Sequence, residues 1–170
     1  GDGNLRCRTL GLVSSIAMGL ALALPNRSVV GLDGDGALLM NACGLPTLAW
    51  QNPPNLTLLV FDNGIYEASG LRRTATSAGA DLMAMAKAAG VKNASWATSL
   101  DDFRRLLREA RNRRALSMIG VKSEAGVDYF RTWQQLPSFE YNEVENLYRF
   151  MRHIEKLEGR RLVPLPGPKH

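Results

Sequence analysis

The stretch that decides the fold is SVVGLDGDGALLMNACGLPTLAWQNPPNLTLLVFDNG, which covers residues 28–64. It opens with an apolar strand that leads into the triplet GDG at 34–36, and a second apolar strand leads into the triplet DNG at 62–64. A helical segment between two such strands is typical of parallel strands, whose carboxyl ends meet at one edge of a sheet. The sequence therefore predicts that Asp35 and Asn63 lie close together at that edge.

The residue types at this edge indicate a site for a metal ion and a diphosphate. Asp35 offers a carboxylate and Asn63 an amide carbonyl, both hard oxygen ligands that suit Mg²⁺, with phosphate oxygens to complete the shell. Gly34 and Gly36 allow the backbone to approach a diphosphate closely. Taken alone, Asp35 is equally typical of a turn, and Asn63-Gly64 is a weak hairpin signal. Because the two strand ends are expected side by side, a metal site is favoured over a simple turn or hairpin.

Around this stretch, apolar strands alternate with helical patterns along most of the chain. The predicted helices cover 12–24, 37–51 with a kink at Pro46, 80–89 and 100–112, and the predicted strands cover 28–33, 56–61, 94–98 and 115–122. The alternation predicts an α/β fold with three layers, a parallel sheet with helices on both faces. Residues 63–79 are predicted to be a loop rich in Gly, Ser and Thr.

The alternating pattern stops near residue 124, which predicts a boundary. We expect one α/β domain over 1–123 and a C-terminal extension over 124–170. The extension holds one predicted helix, from Glu143 to Leu157, with Gly159 as its C-terminal cap. The tail VPLPGPKH is expected to be extended or disordered because of its prolines.

The net charge of +5 over 170 residues suits a small anionic substrate or a diphosphate, and also permits nucleic-acid binding. Arginines cluster between residues 104 and 114, but the acidic Asp101, Asp102 and Glu109 are interspersed with them. This pattern favours a solvated helix face over a nucleic-acid site. The sequence therefore predicts no nucleic-acid partner.

An apolar run at 10–24 follows two arginines and imitates a secretory signal. The run is short for a membrane span and a strand follows it almost at once, which favours a buried helix. The two cysteines, Cys7 and Cys43, lack metal-type spacing and are interpreted as buried thiols. These observations predict a cytoplasmic protein with no membrane partner.

The two triplets and their spacing resemble the thiamine diphosphate motif, in which a GDG triplet precedes an Asn-Asn pair. The resemblance covers roughly residues 4–122 and is closest to the small subunit of sulfopyruvate decarboxylase and the matching half of phosphonopyruvate decarboxylase. One departure is Asp62, which stands where the family has the first Asn. The second Asn, which ligates the metal in the family, is kept as Asn63.

The resemblance implies a set of residues that hold the cofactor and Mg²⁺. Asp35, Asn63 and the backbone carbonyl of Ile65 correspond to the metal ligands. The glycines Gly34 and Gly36 belong to the cofactor-binding triplet, and the N–H groups of Gly36 and Ala37 correspond to donors for the terminal phosphate.

Three further assignments of the resemblance each have a simpler alternative. Leu10 corresponds to the apolar residue that holds thiamine diphosphate in a bent shape, and the alternative is a core leucine. Tyr66 is expected to face the cofactor or substrate, and the alternative is a solvated loop. Arg72 and Arg73 suit a carboxylate, sulfonate or phosphonate on the substrate, and the alternative is a surface charge pair.

The resemblance also implies a partner, because the family activates its cofactor with a glutamate from a separate pyrimidine-binding domain. This chain has room for the diphosphate-binding domain only, so no catalytic residue is assigned in it and the glutamate is expected from another subunit of a hetero-oligomer. The implied function is a subunit of a thiamine diphosphate- and Mg²⁺-dependent decarboxylase for a small anionic 2-oxo acid. The alternatives are a non-catalytic cofactor-binding or scaffold subunit and a carboligase or acyl-transfer enzyme. Helix 12–24, apolar nearly all round, is the expected partner surface.

Overall fold

The computed structural model describes residues 1–125 and 141–161, which fall into two compact units. One unit contains residues 9–125, and the other contains residues 1–8 together with 141–161. The predicted boundary after residue 123 differs from this division at residues 1–8. The predictions for the polar segment before the C-terminal helix and for the extended tail lie outside the described residues.

The larger unit is an α/β fold in which the four predicted strands are confirmed. Its elements in chain order are α1 (Val13–Ala23), β1 (Val29–Gly34), α2 (Asp35–Met40), α3 (Gly44–Gln51), β2 (Leu56–Asp62), β3 (Ile65–Tyr66), β4 (Arg72–Arg73), α4 (Leu82–Ala88), β5 (Asn93–Ala97), α5 (Leu100–Arg113) and β6 (Ser117–Lys122). The main sheet is parallel, in the order β1-β2-β6-β5. The predicted three-layer α/β class is therefore confirmed.

The register of the sheet aligns the carboxyl ends of its three neighbouring strands. Gly34 of β1 lies opposite Phe61 of β2, and Asp62 of β2 lies opposite Lys122 of β6. Beyond this edge, β3 and β4 form a small antiparallel hairpin within the segment that the sequence analysis predicted as a loop. The hairpin and the strand ends together form one region at the carboxyl edge of the sheet.

The two faces of the sheet are covered to different extents. Side chains of β2 such as Leu58 and Val60 pack in a core with α1, α2, α3 and α4, where they are almost fully buried. On the opposite face, α5 packs on Leu59 and Ile119. That face continues onto β1, where Val30 and Leu32 are 51% and 61% exposed within the described structure.

Helix α5 shows how local sequence and packing agree. Ser99 caps its first turn by accepting the N–H of Asp102 at 3.1 Å, and acidic residues begin the helix while arginines end it, as the helix dipole favours. Phe103, Leu106, Leu107 and Ala110 pack on the sheet as predicted. Leu100, predicted on the same face, is 64% exposed, so that part of the prediction is wrong.

Several arginines of α5 pair with carboxylates of the same helix. Arg105 contacts Asp102 at 2.5 Å and Glu109 at 2.6 Å, and Arg104 contacts Asp101 at 3.0 Å. These exposed pairs add little stability, but they neutralise much of the positive charge locally. The contacts agree with the interpretation of α5 as a solvated helix face.

Two predictions about helices are wrong in detail. The predicted helix over 37–51 is two helices, broken at 41–43, and Pro46 lies in the first turn of α3, where proline is tolerated. The side chain of Asn41 occupies the break and donates to the carbonyl of Gly11 at 2.9 Å. Helix α1, predicted to be buried, buries its small side chains and leaves Leu22 47% exposed.

The smaller unit contains a C-terminal helix, α6 (Glu143–Glu158), as predicted. Asn142 and Glu145 form a capping box at its start, and Gly159 ends it with a φ of 64°, a conformation that favours glycine. Within this unit, the chain near the N-terminus contacts the helix, since Asn146 accepts the N–H of Arg6 at 2.8 Å.

Both cysteines are free thiols, but the prediction that they are buried is wrong. Cys43 is exposed and donates to the side-chain oxygen of Asn41 at 3.2 Å, and Cys7 is partly exposed. Over residues 1–125 and 141–161, no helix is both long enough and apolar enough to cross a bilayer.

Candidate functional site

Asp35 is the first residue of α2 and follows directly on β1, so its carboxyl group stands at the carboxyl edge of the sheet. The residue is 2% exposed. Its Oδ2 accepts hydrogen bonds from the hydroxyl of Thr74 at 2.6 Å and from that of Thr76 at 2.9 Å. Both contacts fall on one oxygen, so within the described residues Oδ1 remains available as a ligand for a cation.

Asp62, the last residue of β2, is a second buried carboxylate at this edge and is 3% exposed. Its Oδ1 accepts from the hydroxyl of Thr76 at 2.8 Å and from the N–H of Gly64 at 3.1 Å. Its Oδ2 forms an ion pair with Nζ of Lys122 at 2.5 Å. The charge of Asp62 is therefore compensated by the neighbouring strand β6.

The loop after β2 returns to the strand ends, which explains how its threonines reach two carboxylates. The hairpin β3–β4 reverses the chain, and the N–H of Thr74 donates to the carbonyl of Gly64 at 2.9 Å. The turn at Ala75–Ala78 then directs the hydroxyl of Thr76 inward, where the residue is 8% exposed. The loop thus places the hydroxyls of Thr74 and Thr76 against the carboxyl ends of β1 and β2.

The predicted metal ligands Asn63 and Ile65 form a local turn. Asn63 Oδ1 accepts the N–H of Ile65 at 3.0 Å, an Asx turn that fixes the amide directly after β2. The structure links Asp35 to Asp62 through Thr76, and no hydrogen bond between described residues joins Asp35 to Asn63. An amide oxygen has a second lone pair, so Asn63 retains the capacity to bind a cation.

These donors fit a hard divalent cation. Asp35 Oδ1 is a carboxylate oxygen without a hydrogen-bond partner in the described structure, and the amide oxygen of Asn63 and the carbonyl of Ile65 are neutral oxygen ligands. Oxygen donors of this kind are the ones that Mg²⁺ selects, together with phosphate oxygens. The chemistry of the site therefore matches the predicted metal and diphosphate.

Gly36 and Tyr66 are in close contact. A side chain at position 36 would lie 2.4 Å from Cε1 of Tyr66 and 3.2 Å from Cγ2 of Thr74, so only glycine fits there. Gly34, by contrast, has open space where a side chain would begin. The aromatic ring therefore lies against the GDG triplet, next to the first turn of α2, where Gly36 and Ala37 have N–H groups without intrahelical acceptors.

Leu10 lies before α1 and is 45% exposed, so the alternative of a core leucine is wrong for this unit. Gly11 follows it with a φ of 85°, and a side chain at Gly11 would lie 3.1 Å from Cβ of Asn41. The glycine thus turns the chain tightly beside α2. An exposed leucine held by such a turn is compatible with the predicted contact to a cofactor.

Arg72 and Arg73 are both exposed on β4 but are not equivalent. Arg73 donates to the side-chain oxygen of Ser77 at 3.0 Å and to its carbonyl at 2.8 Å. The side chain of Arg72 has no hydrogen bond or ion pair with the part of the chain that the structure describes. Arg73 therefore stabilises the loop, whereas the guanidinium of Arg72 is available to a ligand.

Asp33 is a buried polar residue that the sequence analysis missed. It is 8% exposed on β1, Oδ1 accepts the N–H of Gly34 at 3.0 Å, and Oδ2 has no partner. Burial raises the pKa of Asp33 from 3.8 to about 6. The signal in the sequence was a lone acid within an apolar strand.

Trp96 of β5 packs against β6 next to the site. Its ring lies across Gly120, where a side chain would approach Cε3 to 2.4 Å, and its Nε1 donates to Asp81 Oδ1 at 2.8 Å. The Nζ of Lys122 is 4.6 Å from the ring centroid. The ammonium group thus interacts with the carboxylate of Asp62 and with the indole face.

Comparison with known proteins identifies a related family and several relatives. The family described as thiamine pyrophosphate enzyme, C-terminal TPP binding domain, matches residues 4–121. The beta subunit of sulfopyruvate decarboxylase from Methanocaldococcus jannaschii is 32% identical over 148 residues, covering 87% of this chain and 74% of that subunit. Phosphonopyruvate decarboxylase from Streptomyces viridochromogenes is 43% identical over 93 residues, covering 55% of this chain and 23% of that enzyme.

Among solved structures, a thiamine diphosphate-dependent 4-hydroxybenzoylformate decarboxylase from Rhodococcus jostii RHA1 is similar in fold. The TM-score is 0.60 at 26% identity, and the match covers 69% of this chain and 24% of that chain. The chain therefore spans about three quarters of the Methanocaldococcus subunit. It spans only about a quarter of the longer decarboxylases.

Proposed function

Because the chain belongs to the thiamine pyrophosphate enzymes through their C-terminal TPP binding domain, we propose that it is the diphosphate-binding subunit of a decarboxylase for small anionic 2-oxo acids. The resemblance predicted from the GDG triplet is confirmed, and the curated relatives are decarboxylases. The substrate class, the Mg²⁺ ion and the partner subunit are parts of the proposal.

The observation that supports the proposal most directly is the burial and hydrogen bonding of Asp35. Its carboxylate is buried at the carboxyl edge of the sheet, held through Oδ2 by two hydroxyls, with Oδ1 left to bind a cation. Asn63 and the carbonyl of Ile65 follow the adjacent strand β2 and supply the other oxygen ligands. A carboxylate of this kind, next to the first turn of a helix, supports binding of Mg²⁺ together with a diphosphate.

The residues of this chain bind and orient the cofactor in the proposed enzyme. Gly36 and Ala37 present N–H groups to the terminal phosphate, Tyr66 lies beside them, and Leu10 supports the bent shape of the bound molecule. When bound, thiamine diphosphate supplies the electron sink for the electrons released as CO₂ leaves. Leu10 would raise the reaction rate by orientation, because the bent shape holds the two reacting groups of the cofactor itself against each other.

A partner subunit with a pyrimidine-binding domain is part of the proposal. The relative from Methanocaldococcus jannaschii is named as the beta subunit of its enzyme, which supports a complex of more than one kind of chain. No glutamate in this chain is assigned to activate the cofactor, so the partner would provide it. The exposed apolar side chains of α1, such as Leu22, are available for the interface.

The substrate is proposed to carry a second anionic group, such as a sulfonate or phosphonate. The names of the relatives support this class. Arg72, exposed and without a partner in the described structure, has a guanidinium suited to such a group. It lies on the hairpin that borders the metal-binding edge.

The test uses the full chain co-expressed with a chain that carries a pyrimidine-binding domain. We expect thiamine diphosphate to bind in calorimetry only when Mg²⁺ is present, and CO₂ to be released from sulfopyruvate or phosphonopyruvate faster than from pyruvate. Binding without turnover on any 2-oxo acid would favour the non-catalytic alternative. Consumption of the 2-oxo acid with carbon–carbon bond formation or acyl transfer in the products would favour the other alternative, and absence of binding would refute the proposal.

A further inference from the structure

We propose that Thr76 is a positioning residue for the metal ligand Asp35, and that it acts by bridging Asp35 to the ion pair of Asp62 and Lys122. This inference rests on the proposed function, because it concerns how the cation site is held. It assigns a role to Asp62, the residue that departs from the Asn-Asn pattern of the family. It also assigns a role to a loop threonine outside both triplets.

The geometry places a single hydroxyl between two buried carboxylates. Thr76 Oγ1 lies 2.9 Å from Asp35 Oδ2 and 2.8 Å from Asp62 Oδ1. Thr74, the other hydroxyl at the site, donates to Asp35 but makes no hydrogen bond with Asp62 in the described structure. Among the described residues, Thr76 is therefore the side chain whose hydrogen bonds join the end of β1 to the end of β2.

The hydroxyl of Thr76 has a single proton for two carboxylates, so its contacts with Asp35 and Asp62 depend on each other. A threonine hydroxyl carries one proton and can donate to one acceptor at a time, while its oxygen can accept from another donor. Thr76 faces two carboxylate oxygens, and its oxygen is also 2.8 Å from that of Thr74. Because Asp62 also accepts from Lys122 and from the N–H of Gly64, the proton of Thr76 is available to Asp35 Oδ2, and this donation orients the carboxylate of Asp35 for a cation. Occupancy of the metal site and the hydrogen bonding of Asp62 are therefore linked.

Lys122 fixes the position of Asp62, which is one end of the bridge. An unpaired carboxylate as deeply buried as Asp62 would be costly, and the ion pair at 2.5 Å compensates its charge. The N–H of Gly64 holds the same carboxylate from the backbone at 3.1 Å. Asp62 is thus fixed from two sides, and a hydroxyl bonded to it has a defined position from which to hold Asp35.

Residues that orient a metal ligand affect the affinity for the metal itself. Loss of such an outer partner typically reduces metal affinity by about 10–100-fold. A threonine that only fills space would behave differently, since valine has nearly the same shape and would preserve the packing. The exchange of Thr76 for valine therefore separates the two roles.

The experiment compares Thr76→Val with Thr76→Ser in the full chain with its co-expressed partner. Calorimetry at saturating thiamine diphosphate gives the dissociation constant of Mn²⁺, used as the probe for the divalent site. We expect Thr76→Val to weaken Mn²⁺ binding about tenfold or more, and Thr76→Ser, which keeps the hydroxyl, to stay close to the wild type. Thr57→Val is the matched control, because Thr57 is also a buried threonine but lies near the amino end of β2, away from the carboxyl edge of the sheet.

Equal Mn²⁺ affinity in Thr76→Val and the wild type would overturn the inference. If the wild type itself binds neither cofactor nor Mn²⁺, the proposed function fails, and the bridge is then judged on the cofactor-free chain. There, thermal unfolding of Thr76→Val, Asp62→Asn and the double variant gives a coupling between the two sites. A clear coupling supports the bridge, and additive shifts in melting temperature refute it.

Discussion

The carboxyl ends of β1 and β2 and the hairpin β3–β4 are close in sequence, but they hold their charged groups in opposite ways. At the strand ends, Asp35 and Asp62 are nearly inaccessible and fixed by hydroxyl, backbone and ammonium donors. On the hairpin, Arg72 and Arg73 are exposed, and only Arg73 is held by contacts with its own loop. Under the proposed function, the difference corresponds to a rigid site for the cofactor beside an adaptable site for the substrate.

This contrast has a physical basis in the two kinds of backbone. Strand β2 has neighbouring strands on both sides, and the edge strand β1 is fixed by β2 and by the helices packed on it. A carboxylate at their ends therefore keeps its position to within the accuracy that a metal requires. The hairpin has two residues in each strand and few buried side chains, and such elements open at low cost in free energy. The following predictions test this division, beginning with the largest effect.

Substitution of Asp35 by alanine should have the largest effect. It removes the carboxylate oxygen that is free to bind a cation and leaves the diphosphate charge uncompensated. We expect the Mg²⁺-dependent affinity for thiamine diphosphate to fall by a factor of about 100 or more, with the fold retained by circular dichroism. Asp101→Ala, on the exposed face of α5, is the control, and full affinity in Asp35→Ala would contradict the assignment.

Substitution of Leu10 by alanine should affect turnover more than binding. The side chain is proposed to act on the shape of the bound cofactor and not on its diphosphate anchor. We expect kcat to fall about tenfold or more while the dissociation constant of thiamine diphosphate changes about threefold or less. Leu100→Ala, which removes an exposed leucine from the start of α5, is the control. A Leu10→Ala enzyme with normal kcat would remove Leu10 from the site.

The two hairpin arginines should differ in their effects on kinetics. Arg72→Gln should raise KM for sulfopyruvate or phosphonopyruvate about tenfold with little change in kcat, because a charge-assisted contact to the substrate is lost. Arg73→Gln should lower the stability of the loop by about 1 kcal/mol and change KM less. Arg108→Gln on α5 serves as the charge-matched control. Equal KM effects at both positions would show that the pair acts as a unit.

Asp33 should have the smallest effect on cofactor and substrate binding, because its effect is on stability and depends on pH. Because burial raises its pKa to about 6, the folded chain keeps a proton that the unfolded chain releases near 3.8. The contribution of Asp33 to stability therefore falls as pH rises from about 4 to about 6 and is constant above that range. We expect Asp33→Asn to be more stable than the wild type by up to about 3 kcal/mol at pH 7 and equal to it near pH 4. Denaturant unfolding at both pH values measures the difference, and a difference independent of pH would contradict the prediction.

The fold and the motif positions could be predicted from the sequence because they depend on local signals. Apolar segments that end in acidic residues close to glycine were enough to predict the parallel sheet and its carboxyl edge. The helix break at 41–43 could not be predicted, because it depends on the contact between Asn41 and the chain at Gly11, which are far apart in sequence. The exposure of Leu100 likewise depends on where α5 lies along the sheet.

The candidate site was predicted only in part for the same reason. The motif identified Asp35, which the structure places at the expected edge, but its partners come from residues distant in the chain. Thr76 arrives through the reversal of the hairpin, and Lys122 through the register of β6 with β2. Asp62 was interpreted as a harmless departure from the pattern, since the lysine that compensates it can be identified only once the strand order is known.

The stacking of Lys122 on Trp96 gives this chain an internal optical sensor. The sequence has three tryptophans, and Trp50 is 82% exposed while Trp133 lies outside the described residues. Replacing Trp50 and Trp133 by phenylalanine would leave an indole whose face meets an ammonium group and whose ring nitrogen donates to Asp81. The fluorescence of that indole would respond to a shift of Lys122. Ligand binding at the neighbouring site could then be measured by fluorescence, without a label and without turnover.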